Sequence, residues 1–220
     1  PKTALVLEGG SLRGIFTAGI LDRMLQKQIR FDYVIGTSAG ALNAMNYISG
    51  QIGRTARIDM TYVNDKRFIG MRQLISRHRI FNFKFLFGEI SHELMPFDYK
   101  TFYENPAVFD IVTTSMITGQ PVYFRKGECN VDLAVQASSS LPLLSQPVYI
   151  DDDLYMDGGC SMPIAYKRAL DLGYDRIVVI LTRDKEYQKH PVSSAKRKVY
   201  ETFYRKFPEF LQTLSDVPQR

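Results

Sequence analysis

Val34-Ile35-Gly36-Thr37-Ser38-Ala39-Gly40-Ala41 is the stretch whose reading decides the fold. An apolar run breaks into Gly-Thr-Ser-Ala-Gly and resumes as the alanine-rich Ala41 to Ala44, which reads as a strand, a sharp turn and a helix. A serine at such a turn is held clear of the sheet. The elbow glycines Gly36 and Gly40 allow the tight backbone and the close approach of a substrate. Ser38 is therefore the candidate nucleophile. The helix that follows supplies free N–H groups and the positive end of its dipole, both suited to a developing oxyanion. The same letters also fit an ordinary glycine-rich strand-to-helix turn, so the flanking chain has to decide.

Upstream, Thr3-Ala4-Leu5-Val6-Leu7 is a continuously apolar run that ends in the loop Glu8-Gly9-Gly10-Ser11-Leu12-Arg13-Gly14. That pattern fits a buried strand entering a glycine loop. From Ile15 to Gln28 the apolar residues Ile15, Ala18, Leu21, Met24 and Leu25 recur at helical spacing. Strand, loop, helix, strand and helix in succession predict a β-α-β-α unit and a parallel sheet. The loop lacks the Gly-x-Gly-x-x-Gly spacing of a dinucleotide site, and no Gly-Lys-Ser/Thr follows it. Its better use is as an oxyanion hole. Adjacent parallel strands end side by side, so the amides of Gly9, Gly10 and their neighbours point toward the spot that Ser38 faces.

Between Gln51 and Lys84 the chain turns basic, with Arg54, Arg57, Lys66, Arg67, Arg72, Arg77, Arg79 and Lys84 against only Asp59 and Asp65. This runs into Ile80-Phe81-Asn82-Phe83-Lys84-Phe85-Leu86-Phe87, whose aromatic spacing suits strand and helix equally. A lid-like insertion over about 51–105 is expected. One reading rests it on lipid headgroups with its rings against acyl chains. The other makes the phenylalanines core and the arginines a solvated face.

Val108–Ser115 and Pro121–Phe124 flank a Thr-Gly-Gln turn and predict a hairpin. Asn130 or Asp132 caps a short helix through Ala137. A second hairpin, Val148–Ile150 and Leu154–Met156 around Asp151-Asp152-Asp153, delivers Asp157-Gly158-Gly159. The acidic triplet lacks the rest of a calcium loop and reads as a solvated turn. Asp157 follows an apolar strand and precedes two glycines, so its carboxylate is the candidate acceptor for the Ser38 proton. A helix over 163–172, a strand over 176–182 and a basic C-terminal helix containing Tyr200, Phe203, Tyr204, Phe207, Phe210, Leu211 and Leu214 complete the chain. The expected division is a catalytic domain over 1–182 and a helical extension over 183–220.

With 220 residues, 45% hydrophobic and 23% charged, the chain suits one globular domain with an ample core. A net charge of +5 favours an anionic partner; without a nucleic-acid module, a membrane surface is the better fit. Cys129 and Cys160 lack metal spacing, and no apolar run approaches a bilayer span. A reducing, cytoplasmic setting with peripheral contact to an anionic membrane is expected.

Three pieces together resemble the patatin-like phospholipase family, of the bacterial type: the loop Glu8 to Gly14, the elbow Gly36 to Gly40, and Asp157-Gly158-Gly159. Ala137-Ser138-Ser139-Ser140-Leu141-Pro142 is also similar to the family. The resemblance implies a three-layer α/β/α fold with a mainly parallel sheet. It further implies a Ser38–Asp157 dyad that cleaves fatty acyl esters of a phospholipid or other lipid through an acyl-enzyme, without calcium, metal or cofactor. Ser11 stands where the family has a third glycine, and Arg13-Gly14 matches the family's basic-Gly ending, so Gly9, Gly10, Ser11, Arg13 and Gly14 form the expected oxyanion loop. Two rivals remain. One is a triad esterase or thioesterase of α/β-hydrolase type, with His190 joining Ser38 and Asp157; the other is an idle lipid-binding module on the same fold.

Overall fold

The computed structural model describes residues 2–68 and 82–216. The sheet includes β1 (Thr3–Leu7), whose last four residues are fully buried, paired in parallel with β2 (Tyr33–Thr37) on one side and the edge strand β7 (Arg176–Ile180) on the other. β2 in turn pairs in parallel with β3 (Val108–Ser115). A strand buried on both faces has no polar alternation, which is why Thr3–Leu7 and Tyr33–Thr37 read as unbroken apolar runs. The pleat sends Leu5 and Leu7 to one face and Ala4 and Val6 to the other. The first face packs on α1 (Gly14–Gln26), α2 (Ala39–Ile48) and α6 (Val131–Ser138); the second packs on α7 (Tyr166–Asp171) through Ala169. This is the expected three-layer α/β/α architecture with a mixed, mostly parallel sheet.

Two antiparallel hairpins finish the sheet. β4 (Pro121–Arg125) pairs with β3, while β5 (Val148–Ile150) and β6 (Asp153–Asp157) form the second hairpin, with β6 also on β3. Thr113 and Thr114 pair with both β4 and β6, so those strands lie on opposite edges of β3. Asp110, Ile111 and Val112 pair with both β4 and β2. β2 and β6 therefore share one edge, end to end. On it Val112 is opposite Thr37 and the next residue, Thr113, is opposite Asp157.

The segment after α2 carries α3 (Arg54–Tyr62), a π-wound helix α4 (Phe85–Leu94) and α5 (Tyr99–Glu104). Ile58, Tyr62, Phe68, Phe83, Phe85, Leu86 and Ile90 form their own buried cluster, so the phenylalanines described here are core. Arg54 departs from a solvated basic face: it is 5% exposed, donating to Met95 O, Asn46 Oδ1 and Ser91 Oγ, and burial brings its pKa down to about 10. Arg72, Arg77, His78, Arg79, Ile80 and Phe81 lie outside the described residues. The C-terminal region is two helices, α8 (Ser194–Tyr204) and α9 (Pro208–Asp216), because Pro208 cannot continue a helix through its own ring. Their Tyr200, Tyr204, Phe210 and Leu214 pack on Met116, Met156 and Cys160. Ile15 also departs from expectation. The helical spacing assigned it to the core, but it is exposed at the start of α1. Among the described residues no helix is long and apolar enough to cross a membrane.

Candidate active site

Ser38 sits between β2 and α2 with φ 55° and ψ −122°, a conformation that L residues rarely adopt and that turns the side chain out of the sheet. The flanking glycines leave no choice of residue. A Cβ on Gly36 would come within 2.6 Å of the Ala41 backbone, and one on Gly40 would overlap the Leu7 carbonyl oxygen. The strained turn is held from outside. The Ser38 N–H donates to Ser138 Oγ at 2.8 Å, and Ser138 Oγ donates to the Val112 carbonyl at 2.6 Å, all of it buried.

Asp157 ends β6 and is 3% exposed. Its N–H donates to Ser140 O, its carbonyl accepts from Thr114 Oγ1, and its Oδ1 accepts from the Gly159 N–H at 2.7 Å. Gly158 is obligatory, because a Cβ there would overlap Val112 O. Thr37 Oγ1 donates to Met162 O and ties the end of β2 to the turn after Asp157. Burial lifts the Asp157 carboxyl to about 6, while the facing Ser38 hydroxyl, the Gly159 N–H and the Lys189 ammonium pull it back toward the charged form. The hydroxyl stands near the carboxylate but short of direct hydrogen-bond geometry, so Oδ2 is buried without a partner among the described residues.

The glycine loop lies against both groups. A Cβ on Gly9 would come within 3.3 Å of Ser38 Cβ, and one on Gly10 would collide with Thr182. Glu8 Oε2 accepts from the Thr182 N–H, and the single Thr182 Oγ1 proton is shared between Glu8 Oε2 and Gly9 O, fixing the loop to the chain just after β7. Of the five residues expected to form the hole, three have their N–H groups engaged. Gly9 N–H donates to Pro163 O, Arg13 N–H to Gly10 O and Gly14 N–H to Ser11 O. The Gly10 and Ser11 amides have no acceptor among the described residues. Ser11 holds φ 50°, the conformation a glycine would take without strain. Arg13 is exposed.

Ser38 opens into a cleft walled by Leu12, Leu42, Ile58, Phe68, Phe87 and Phe97 among others. Ser11, Gly14, Ala39 and Ser139 line the same end as Ser38. Mainly apolar walls leading to the Ser38 hydroxyl suit an acyl chain. Asp59, on the α3 wall, is raised to about 6 by burial.

Sequence reasoning missed two residues at this site. Ser138 appeared only as part of a serine-rich helix end, and its role follows from where α6 meets β3. Lys189 lies in an irregular stretch, yet it is half-buried near Asp157, Glu8 and Cys160, and burial lowers its pKa. Its neighbour His190 is exposed. His92 stacks on Tyr99 at 5.7 Å, in the α4–α5 region.

Residues 5–170 match the profile of the patatin-like phospholipase family. The chain belongs to that family. Among its relatives is the uncharacterised protein YjjU of Escherichia coli K12, 32% identical over 186 residues that make up 82% of this chain and 52% of that protein. Lysophospholipase nte1 of Aspergillus terreus is 28% identical over 185 residues, 81% of this chain and 12% of the fungal protein. The chain thus spans about half of the bacterial relative and a small part of the fungal one. Among solved structures, VipD from Legionella pneumophila shares the fold with a TM-score of 0.50 at 14% identity, over 81% of this chain and 49% of VipD.

Proposed function

We propose that this patatin-like protein hydrolyses fatty acyl esters of phospholipids or lysophospholipids through a Ser38–Asp157 dyad. The observation that carries the reading is the buried Asp157 carboxylate, with one oxygen unpartnered and the Ser38 hydroxyl beside it. Substrate binding closes the remaining gap, as catalytic hydrogen bonds often tighten only in the Michaelis complex. Asp157 Oδ2 takes the Ser38 proton as Oγ attacks the ester carbonyl. The Gly10 and Ser11 amides and the positive end of α2 receive the negative oxygen. Asp157 then returns the proton to the departing alcohol, leaving an acyl-Ser38 ester. A water deprotonated by the same carboxylate releases the fatty acid. Residues 1–182 are the catalytic domain, the segment over 51–105 walls the acyl cleft, and 183–220 is an extension packed on it.

An ionised aspartate alone is a weak base, and burial helps by raising it toward working pH. The triad alternative is disfavoured because the cation Asp157 feels is Lys189, while His190 is exposed. The test is a lipid panel and a fluorophosphonate probe applied to the wild type, Ser38→Ala, Asp157→Asn and His190→Ala. Ser38→Ala loses both labelling and hydrolysis, Asp157→Asn loses hydrolysis, and His190→Ala keeps both. A folded but dead His190→Ala would replace the dyad with a triad. An unlabelled wild type would leave the fold as an idle binding module.

A further inference from the structure

Leu12, Ile15 and Phe16 are 53%, 42% and 61% exposed where the glycine loop enters α1. Ile15 and Phe16 lie in the first turn of α1, away from the stripe that α1 buries through Thr17, Ala18, Leu21 and Leu25, and Leu12 lies in the 3-10 turn just before it. Leu12 is also a wall of the cleft that holds Ser38, so this apolar face continues into the cleft mouth. Across the cleft, α3 contributes Ile58 and Asp59 to the wall and exposes Met60 at 80%. Exposed basic side chains outnumber acidic ones along this part of the chain. Arg13, Arg23 and Lys27 are exposed, and Asp22, the acid of α1, accepts from the Gly53 N–H at 2.8 Å.

We propose that this lip, formed by Leu12, Ile15 and Phe16, is the surface by which the protein docks on a lipid bilayer, preferentially an anionic one. The inference rests on the lipid hydrolase reading above and names the partner of that same site. Single exposed apolar residues are ordinary, but three large ones within five residues, contiguous with an apolar cleft and flanked by the exposed cations Arg13, Arg23 and Lys27, match what a bilayer interface accepts. The ring and branched chains enter the acyl boundary, and the guanidinium and ammonium groups meet phosphates. A second copy of the chain would bring the same cations face to face, which disfavours self-association here. Once docked, a lipid chain passes over Leu12 into the cleft without crossing bulk water.

Co-sedimentation with phosphatidylcholine vesicles, with and without phosphatidylglycerol, tests this on the full chain. Ile15→Ser/Phe16→Ser lowers partitioning to both vesicle types by about tenfold or more and slows cleavage of vesicle lipid in step. Hydrolysis of a short-chain, monomeric ester stays at the wild-type rate. Arg23→Gln/Lys27→Gln removes the preference for anionic vesicles and leaves the short-chain ester rate unchanged. Ser38→Ala still sediments, so docking is read even if the proposed chemistry fails. The proposal is overturned if the wild type does not sediment, if Ile15→Ser/Phe16→Ser or Phe16→Ser alone sediments like the wild type, or if the short-chain ester rate falls with it. A concentration-dependent dimer that the double substitution dissolves would likewise overturn it and assign the lip to a second copy.

Discussion

Replacing Asp157 by asparagine should make the protein more stable while removing its activity, with a pH dependence that can be worked out in advance. In the unfolded chain the carboxyl has its ordinary value of 3.8, and burial lifts it to about 6 in the fold. The folded state therefore resists ionising this group. Wild-type stability from this residue is full below about pH 3.8, declines as pH rises through the interval up to about 6, and is flat above it. At pH 8 the buried charge costs about 3 kcal/mol. Asparagine is nearly the same size, keeps an oxygen for the Gly159 N–H and carries no charge, so Asp157→Asn should exceed the wild type by about 3 kcal/mol at pH 8 and match it near pH 4. Urea unfolding of both proteins at the two pH values reads that difference, in which contributions from other groups cancel. The same substitution removes the base and should lower kcat by about 10²–10⁴. Equal stability at both pH values would refute the buried carboxylate, and retained activity would refute its catalytic role.

The acid limb of the pH profile follows from the same residue: kcat/KM should fall about tenfold per unit below about pH 6, and a limb that persists unchanged in a partly active Asp157 variant would assign it elsewhere. Ser138→Ala strands the buried Ser38 N–H and Val112 carbonyl, so a loss of about 2–3 kcal/mol in urea unfolding is expected, with a larger loss of kcat than of substrate affinity because the elbow slackens. Gly40→Ala sets a methyl against the Leu7 carbonyl and should cost more than about 2 kcal/mol; wild-type thermal stability would show that the elbow has more room than described.

The elbow, the glycine loop and Asp157 were legible because each is written in local letters: a strand's apolar run, then glycines where only glycine fits. The two hairpins and the Asn130 cap, whose Oδ1 accepts from the Leu133 N–H, were equally local. What escaped depends on contacts between distant segments. Ser138 supports Ser38 across 100 residues, and Lys189 reaches Asp157 from a stretch with no periodicity. Arg54 looked like part of a charged surface but is buried by the helix it pins. Ile15 fitted the helical stripe by spacing but lies at its margin, and the first turn of α1 buries Gly14 and Thr17 instead. Periodicity records which residues share a face. It does not record which of them lie at its margin.

The shared edge of β3 has an evolutionary corollary. Thr37, the residue before Ser38, and Asp157 stand opposite consecutive residues of one strand, Val112 and Thr113, so the spacing of the proposed dyad is metered by a single backbone step of about 3.3 Å. A one-residue insertion or deletion between those two positions would shift the carboxyl by that step and also flip it to the opposite side of the sheet. Drift in the surrounding loops can reshape the cleft for new substrates, whereas the gauge itself tolerates substitution but not a change of length.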